Sequence, residues 1–232
     1  TNNGTFTLLD GTVNLNTTTL LNNSLISLPS TSNCFFSTSN LLDTGFITNT
    51  STGIIFKTSY SGIAEFGNNI KFINNGTVKG FGEYVFANTL TNTGIISPGD
   101  GNNSSGIVTV NPAFITGKNP TLWIETNTPG NVAGTNYDQL KISTYNFSTV
   151  NFSGVTLSLQ DNAIGTVGTI YRIIDAVNPS TNVMGPFGFL NIPGTFGNII
   201  FGGSYVTIQK LLHTILWDGG AGTSNWNDAN NW

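Results

Sequence analysis

The sequence predicts an all-β chain, read as a parallel β-solenoid (β-helix) with a β-sandwich as the alternative. Three observations lead there. Apolar residues alternate with Thr, Ser, Asn or Lys in short runs, no window carries a helical apolar stripe, and a small polar residue followed by Gly opens one β-rich run after another.

The alternating runs extend along the whole chain. Val13 and Leu15 lie within TVNLN, Ile70 and Phe72 within IKF, and Val108 and Val110 within IVTV. Leu122 and Ile124 follow within LWIE, then Val155, Leu157 and Leu159 within VTLSL, and Val206 and Ile208 within YVTI. A period of two puts one face of each run inward and the other outward, as in a half-buried strand. Thr, Ile and Val dominate, and their stiffness at χ1 suits a pleated surface. Gly and Asn punctuate the runs, as tight corners require.

The punctuation repeats as NGTFT from Asn3, DGTVN from Asp10, TGFIT from Thr44, TGIIF from Thr52, NGTVK from Asn75 and TGIIS from Thr93. Its spacing is uneven, with 23 residues from Gly53 to Gly76 and 18 from Gly76 to Gly94, yet both intervals suit one turn of a coiled sheet. Successive turns would stack at strand spacing, with ladders of Val, Ile, Leu and Phe inside. About ten turns at roughly 4.8 Å would make a rod on the order of 50 Å long. The ragged period also permits a Greek-key sandwich of many short strands.

Composition narrows the function classes. Of 232 residues, 38% are apolar, enough to bury a core, while only 8% are charged, against about a quarter in ordinary globular proteins. Seven basic residues and a net charge of −4 argue against nucleic acid or an anionic membrane as partner. No apolar stretch approaches the length of a membrane span, and Thr1 begins without a signal peptide or initiator Met, so the chain is expected to be a piece of something longer. Cys34, the single cysteine, is followed by Phe35 and Phe36 and is expected to be a buried thiol.

Chemistry is sparse. His213, the only histidine, sits in LLHTIL among apolar neighbours, and no GxSxG elbow is present. One histidine and one cysteine are too few for a zinc site or a Cys–His nucleophile. Carboxylates are the better candidates, because a polysaccharide hydrolase needs only two across a groove, and Asp100, Asp138, Asp161 and Asp175 are dispersed along the chain. Asp100, Asn102 and Ser104 alternate as in a calcium loop, but without the bidentate Glu that completes one, so a solvated turn is expected. A solenoid that binds ice would need outward Thr once per turn, and Thr17 to Thr19 are contiguous instead.

From residue 93 onward the chain resembles the passenger regions of bacterial autotransporter-like, tandem-repeat surface adhesins. TGIISPGDGNNSSGIVTVN resembles their L-x-P-G-x-S-x-G-x-L-T-V segment, with Pro98, Gly99, Ser105, Gly106, Ile107 and Val110 in matching places and a loop two or three residues longer. LWIE at Leu122 to Glu125, YDQLKI at Tyr137 to Ile142, GTIYRIIDA at Gly168 to Ala176 and GPFGF at Gly185 follow in the family's order. The closing stretch WDGGAGTSNWNDANNW is similar to the opening of a family repeat, carried by Trp217, Gly219, Gly220, Gly222, Trp226, Asn231 and Trp232.

The resemblance implies a right-handed parallel β-solenoid segment of a large secreted bacterial surface protein built from tandem modules; it does not imply a catalytic site. In the family's motifs an acid such as Asp138 or Asp175 is expected to bond to a turn backbone. Residues 1–216 would form one solenoid module, with 93–216 the adhesin-like segment and 1–92 less diagnostic, and residues 217–232 would open the next. Physically, Trp217, Trp226 and Trp232 beside glycines that offer no Cβ suit a module joint, or else a platform on which a sugar face stacks.

The expected function is therefore a non-enzymatic stalk or display surface on the bacterial exterior, without cofactor or metal. Its expected partners are neighbouring repeat modules and surface glycans or another cell surface, with neither nucleic acid nor membrane insertion. The alternative is a carbohydrate-binding or polysaccharide-degrading β-helix, marked by acidic and aromatic side chains converging on one groove.

Overall fold

In a computed structural model, which describes residues 1–211 apart from 30, 41, 102, 112–113, 116–118, 144–148 and 163–166, the alternating runs become strands that wind into a parallel β-solenoid. A full turn lays down three strands. The first comprises β1 (Thr5–Thr7), β2 (Gly11–Asn14) and β3 (Thr19–Asn22), and the second β4 (Leu25–Leu28), β5 (Cys34–Ser37) and β6 (Gly45–Asn49). The third is β7 (Ile54–Lys57), β8 (Ile63–Phe66) and β9 (Ile70–Asn74), and the fourth β10 (Thr77–Gly80), β11 (Gly82–Phe86) and β12 (Thr89–Asn92). The fifth contributes β13 (Ile95–Pro98) and β14 (Ile107–Val110), and the sixth β15 (Thr121–Thr126), β16 (Gln139–Ile142) and β17 (Thr149–Asn151). The seventh is β18 (Thr156–Asp161), β19 (Ile170–Ala176) and β20 (Asn182–Met184). β21 (Phe189–Asn191) starts an eighth, after which β22 (Phe196–Phe201) and β23 (Tyr205–Lys210) form an antiparallel hairpin.

Equivalent strands stack. Sheet 1 runs β1-β4-β7-β10-β13-β15-β18-β21, and sheet 2 runs β2-β5-β8-β11-β14-β16-β19 before β23 and β22 add to its edge antiparallel. Sheet 3 is β3-β6-β9-β12, and β17 pairs with β20. Parallel ladders decide against the sandwich, whose sheets are antiparallel.

Among the described residues sheet 1 holds eight strands, against the roughly ten turns expected, because many turns are long. The pairs Thr5↔Leu25, Leu25↔Ile54, Ile54↔Thr77, Thr77↔Ile95, Ile95↔Thr121, Thr121↔Thr156 and Thr156↔Phe189 give turns of 20, 29, 23, 18, 26, 35 and 33 residues. The variation lies at corners. Only Phe81 separates β10 from β11, whereas residues 127–138 separate β15 from β16.

Side chains repeat turn upon turn inside. Ile26, Ile55, Val78, Ile96, Leu122 and Leu157 are in register along sheet 1 and fully buried. Phe36, Phe66, Phe86 and Phe114 form a near-parallel column with centroids 4.8, 4.6 and 4.0 Å apart. Stacking of this kind adds geometry-specific attraction to apolar burial. Cys34 is buried as expected, its Sγ 3.5 Å from the Leu8 carbonyl, and burial pushes its thiol pKa up.

A second column is polar. Asn22, Asn49, Asn74 and Asn92 end the four strands of sheet 3 and are all buried. The Nδ2 of Asn2 donates to Oδ1 of Asn22 (2.7 Å), Asn22 to Asn49 (2.7 Å), Asn49 to Asn74 (2.8 Å) and Asn74 to Asn92 (2.9 Å). Asn92 completes the run on the Phe114 carbonyl (2.8 Å). A primary amide both donates and accepts without charge, so identical rungs satisfy one another inside the core.

Beyond this column the chain re-enters sheet 1 through Gly53, Gly76 and Gly94. A Cβ on Gly76 would lie 2.2 Å from the carbonyl oxygens of Gly53 and Thr50, so close backbone approach is what requires glycine here. The six glycine signatures do not all mark this corner: Gly11 begins β2 and Gly45 begins β6.

Candidate functional site

The outer face of sheet 1 presents rows of side chains at alternate strand positions. One row is Leu25, Ile54, Thr77, Ile95, Thr121 and Thr156. Apolar residues interrupt its threonines, so no Thr lattice forms there. The next row contains Ser27, Phe56, Lys79 and Ser97, with Trp123 paired to Ser158 further along.

These rows floor an open groove of about 320 Å³. Ile54, Thr77, Ile95 and Ser97 line one part of it, and Lys79, Trp123, Glu125 and Gln160 another. Asp100 and Gly101, from the loop between β13 and β14, form a rim. Local sequence explains the arrangement. In LWIE the inward Leu122 and Ile124 are fully buried, which forces Trp123 and Glu125 to the opposite face.

The polar groups hold one another in place. Trp123 Nε1–H donates to Glu125 Oε1 at 3.4 Å, and Asn127 Nδ2 reaches Glu125 Oε2 at 3.5 Å and Ser105 Oγ at 3.0 Å. Glu125 is only 2% exposed. Lys79 Nζ donates to the Asp100 carbonyl and lies 4.8 Å from the centroid of the Phe56 ring. Gln160 Nε2 donates to Asn162 Oδ1 at 2.8 Å.

Asp138 braces the rim from beneath. Its Oδ1 accepts the Gly106 N–H at 2.8 Å and its Oδ2 accepts the Glu125 N–H at 2.9 Å, so one carboxyl ties the end of the loop to β15. Burial pushes its pKa from 3.8 up to about 8, the two N–H groups pull it down, and the neighbouring Glu125 and Asp100 charges raise it further. Gly99 and Gly101 turn the loop with φ of 80° and 75°, a region glycine enters at little cost.

The four aspartates flagged in the sequence are thus divided. Asp100 and Asp138 share the groove region, while Asp161 is ion-paired with Lys210 and bonded by Thr126 (3.0 Å) and Thr195 (3.1 Å). Asp175 pairs with Arg172 on its own strand at 2.5 Å. Of the backbone bonds that the motifs imply for Asp138 and Asp175, Asp138 makes one to Gly106, whereas Asp175 pairs with the guanidinium of the partly exposed Arg172.

Among the described residues no group of three or more His, Cys, Asp or Glu is arranged to hold a metal ion, and no helix is long and apolar enough to cross a membrane. Asn102, His213 and the candidate joint or glycan contacts Trp217, Trp226 and Trp232 lie outside the described residues. Trp123, Glu125, Lys79 and Gln160 were not singled out as site residues by the sequence, although the outward register of LWIE held the signal for two of them. Comparison with protein-family models, with curated proteins and with solved structures returned no match.

Proposed function

We propose that this chain is a rigid structural and adhesive module of a large secreted bacterial surface protein, serving as stalk or display surface and catalysing no reaction. The observation that carries the proposal is the asparagine column from Asn2 to Asn92, which stitches four successive turns into one stack. Each turn contacts chiefly its neighbours, so length can be added without redesigning a core. Residues of the adhesin-like motifs also have structural partners. Asp138 of YDQLKI ties loop to strand, and Tyr137 Oη accepts the Arg172 N–H at 3.3 Å from the following turn. The nearly uncharged exterior follows from 8% charged residues and suits a surface that displays contacts without attracting counter-charged partners indiscriminately.

The test is surface labelling. Antibodies raised against the chain should label intact cells of the source organism and lose that label after brief external proteolysis. Labelling only in permeabilised cells would overturn the surface assignment, and release of reducing ends from polysaccharides by the purified chain would overturn the non-enzymatic one.

A further inference from the structure

The geometry points to a binding site for a neutral, linear polysaccharide in the groove on the outer face of sheet 1, with Trp123 as the stacking surface. This goes beyond a structural role and does not involve the tryptophans at the end of the chain.

Four features converge on that ligand. The groove crosses strands β7, β10, β13, β15 and β18, so its long dimension follows the stacking direction for four strand spacings, about 19 Å. An elongated, open cleft of this kind accepts a chain rather than a single compact molecule. Trp123 is half-buried and outward, and its ring is fixed by the Nε1–H bond to Glu125, which leaves an oriented apolar plane for the C–H face of a sugar. Small Ser158 pairs with Trp123, leaving room beside the ring.

Hydroxyl groups on the ligand need acceptors and donors at the edges of that plane. Asp100 supplies carboxylate oxygens, Gln160 an amide and Thr77 a hydroxyl, while the nearly buried Glu125 orients the Trp123 ring. A half-exposed carboxylate such as that of Asp100 can accept charge-assisted hydrogen bonds from sugar hydroxyls. Charge selects against uronate chains. The groove carries Asp100 and Glu125 against Lys79, and Lys79 is already directed to the Asp100 carbonyl and the Phe56 ring. The volume of about 320 Å³ lies at the lower end of the range of about 300–1,000 Å³ typical of small-ligand sites, as fits a shallow cleft contacting a few sugar units.

Affinity electrophoresis of the full chain through gels containing mixed-linkage β-glucan, glucomannan or linear β-mannan, with polygalacturonate as the anionic comparator, tests the site. At least one neutral polymer should retard the protein, and Trp123→Ala should weaken retardation by about tenfold, while Trp123→Phe keeps most of it. Polygalacturonate should not retard it. Ile95→Lys, which blocks the groove from an exposed position without touching the core, should abolish retardation and keeps the proposal testable if Trp123→Ala fails to fold. Four results would each overturn the proposal: no retardation by any neutral polymer, retardation indifferent to both Trp123→Ala and Ile95→Lys, preference for polygalacturonate, or loss only when Trp217, Trp226 and Trp232 are replaced.

Discussion

Asp138 is the residue whose ionisation has most to say about stability. Its two bonds join Gly106 to β15, and burial raises its pKa from 3.8 to about 8. Below about pH 4 the carboxyl is protonated whether folded or unfolded and contributes no pH dependence. Between about 4 and 8 the folded chain keeps a proton that the unfolded chain has released, so this group lowers stability as pH rises, by at most about 1.4 kcal/mol per pH unit. Thermal unfolding followed at pH 5 and pH 8.5 should give the higher midpoint at pH 5. Asp138→Asn should lower the midpoint at pH 5, since an amide keeps only one acceptor oxygen for two N–H groups, and should flatten the slope between the two pH values. A wild-type midpoint that rises with pH would refute the assignment. At this scale the sequence was legible where alternation decides burial: Ile70, Phe72, Val108, Val110, Leu122, Ile124, Val206 and Ile208 are all inward. Trp123 and Lys79 were harder to associate, because two turns of unequal length bring them to one groove and no local pattern encodes that register.

Among elements, the asparagine column sets the corner between sheets 3 and 1. A middle rung such as Asn49 is wholly buried, so its removal takes a donor from a site water does not reach, whereas the first rung, Asn2, is partly exposed and water can replace it. Asn49→Ala leaves the Asn74 Oδ1 without its donor and the Asn22 Nδ2 with only the Ser24 and Ile54 carbonyls, and should cost about 2 kcal/mol, while Asn2→Ala should cost about 1 kcal/mol. Urea unfolding of the two variants beside the parent checks the order, and equal costs would show that the column does not act through burial. The glycines of this corner were readable as repeats, and the intervals Gly53–Gly76 and Gly76–Gly94 equal the turn lengths between Ile54, Thr77 and Ile95. The amide column was not. Asn precedes Gly by two residues at Asn2, Asn74 and Asn92 but by four at Asn49, and in a chain so rich in Asn that recurrence does not stand out.

For the whole molecule, alternation announced strands without announcing their direction. Runs such as YVTI read the same in parallel and antiparallel sheets, so the closing hairpin of β22 and β23 could not be distinguished from another turn. The glycine repeat tipped the balance toward a solenoid by giving successive turns a common punctuation. One consequence concerns tension. In sheet 1 the strands lie across the stack, and their hydrogen bonds run along it. A load applied between the first and last turns would pull those bonds along their own length, parting one layer before the next is fully stressed. Each parting would free a layer of 18 to 35 residues, or about 60–120 Å of extended chain. Single-molecule stretching should therefore trace a series of low, unequally spaced peaks whose spacings follow the individual turn lengths, and one tall rupture releasing all layers together would contradict it.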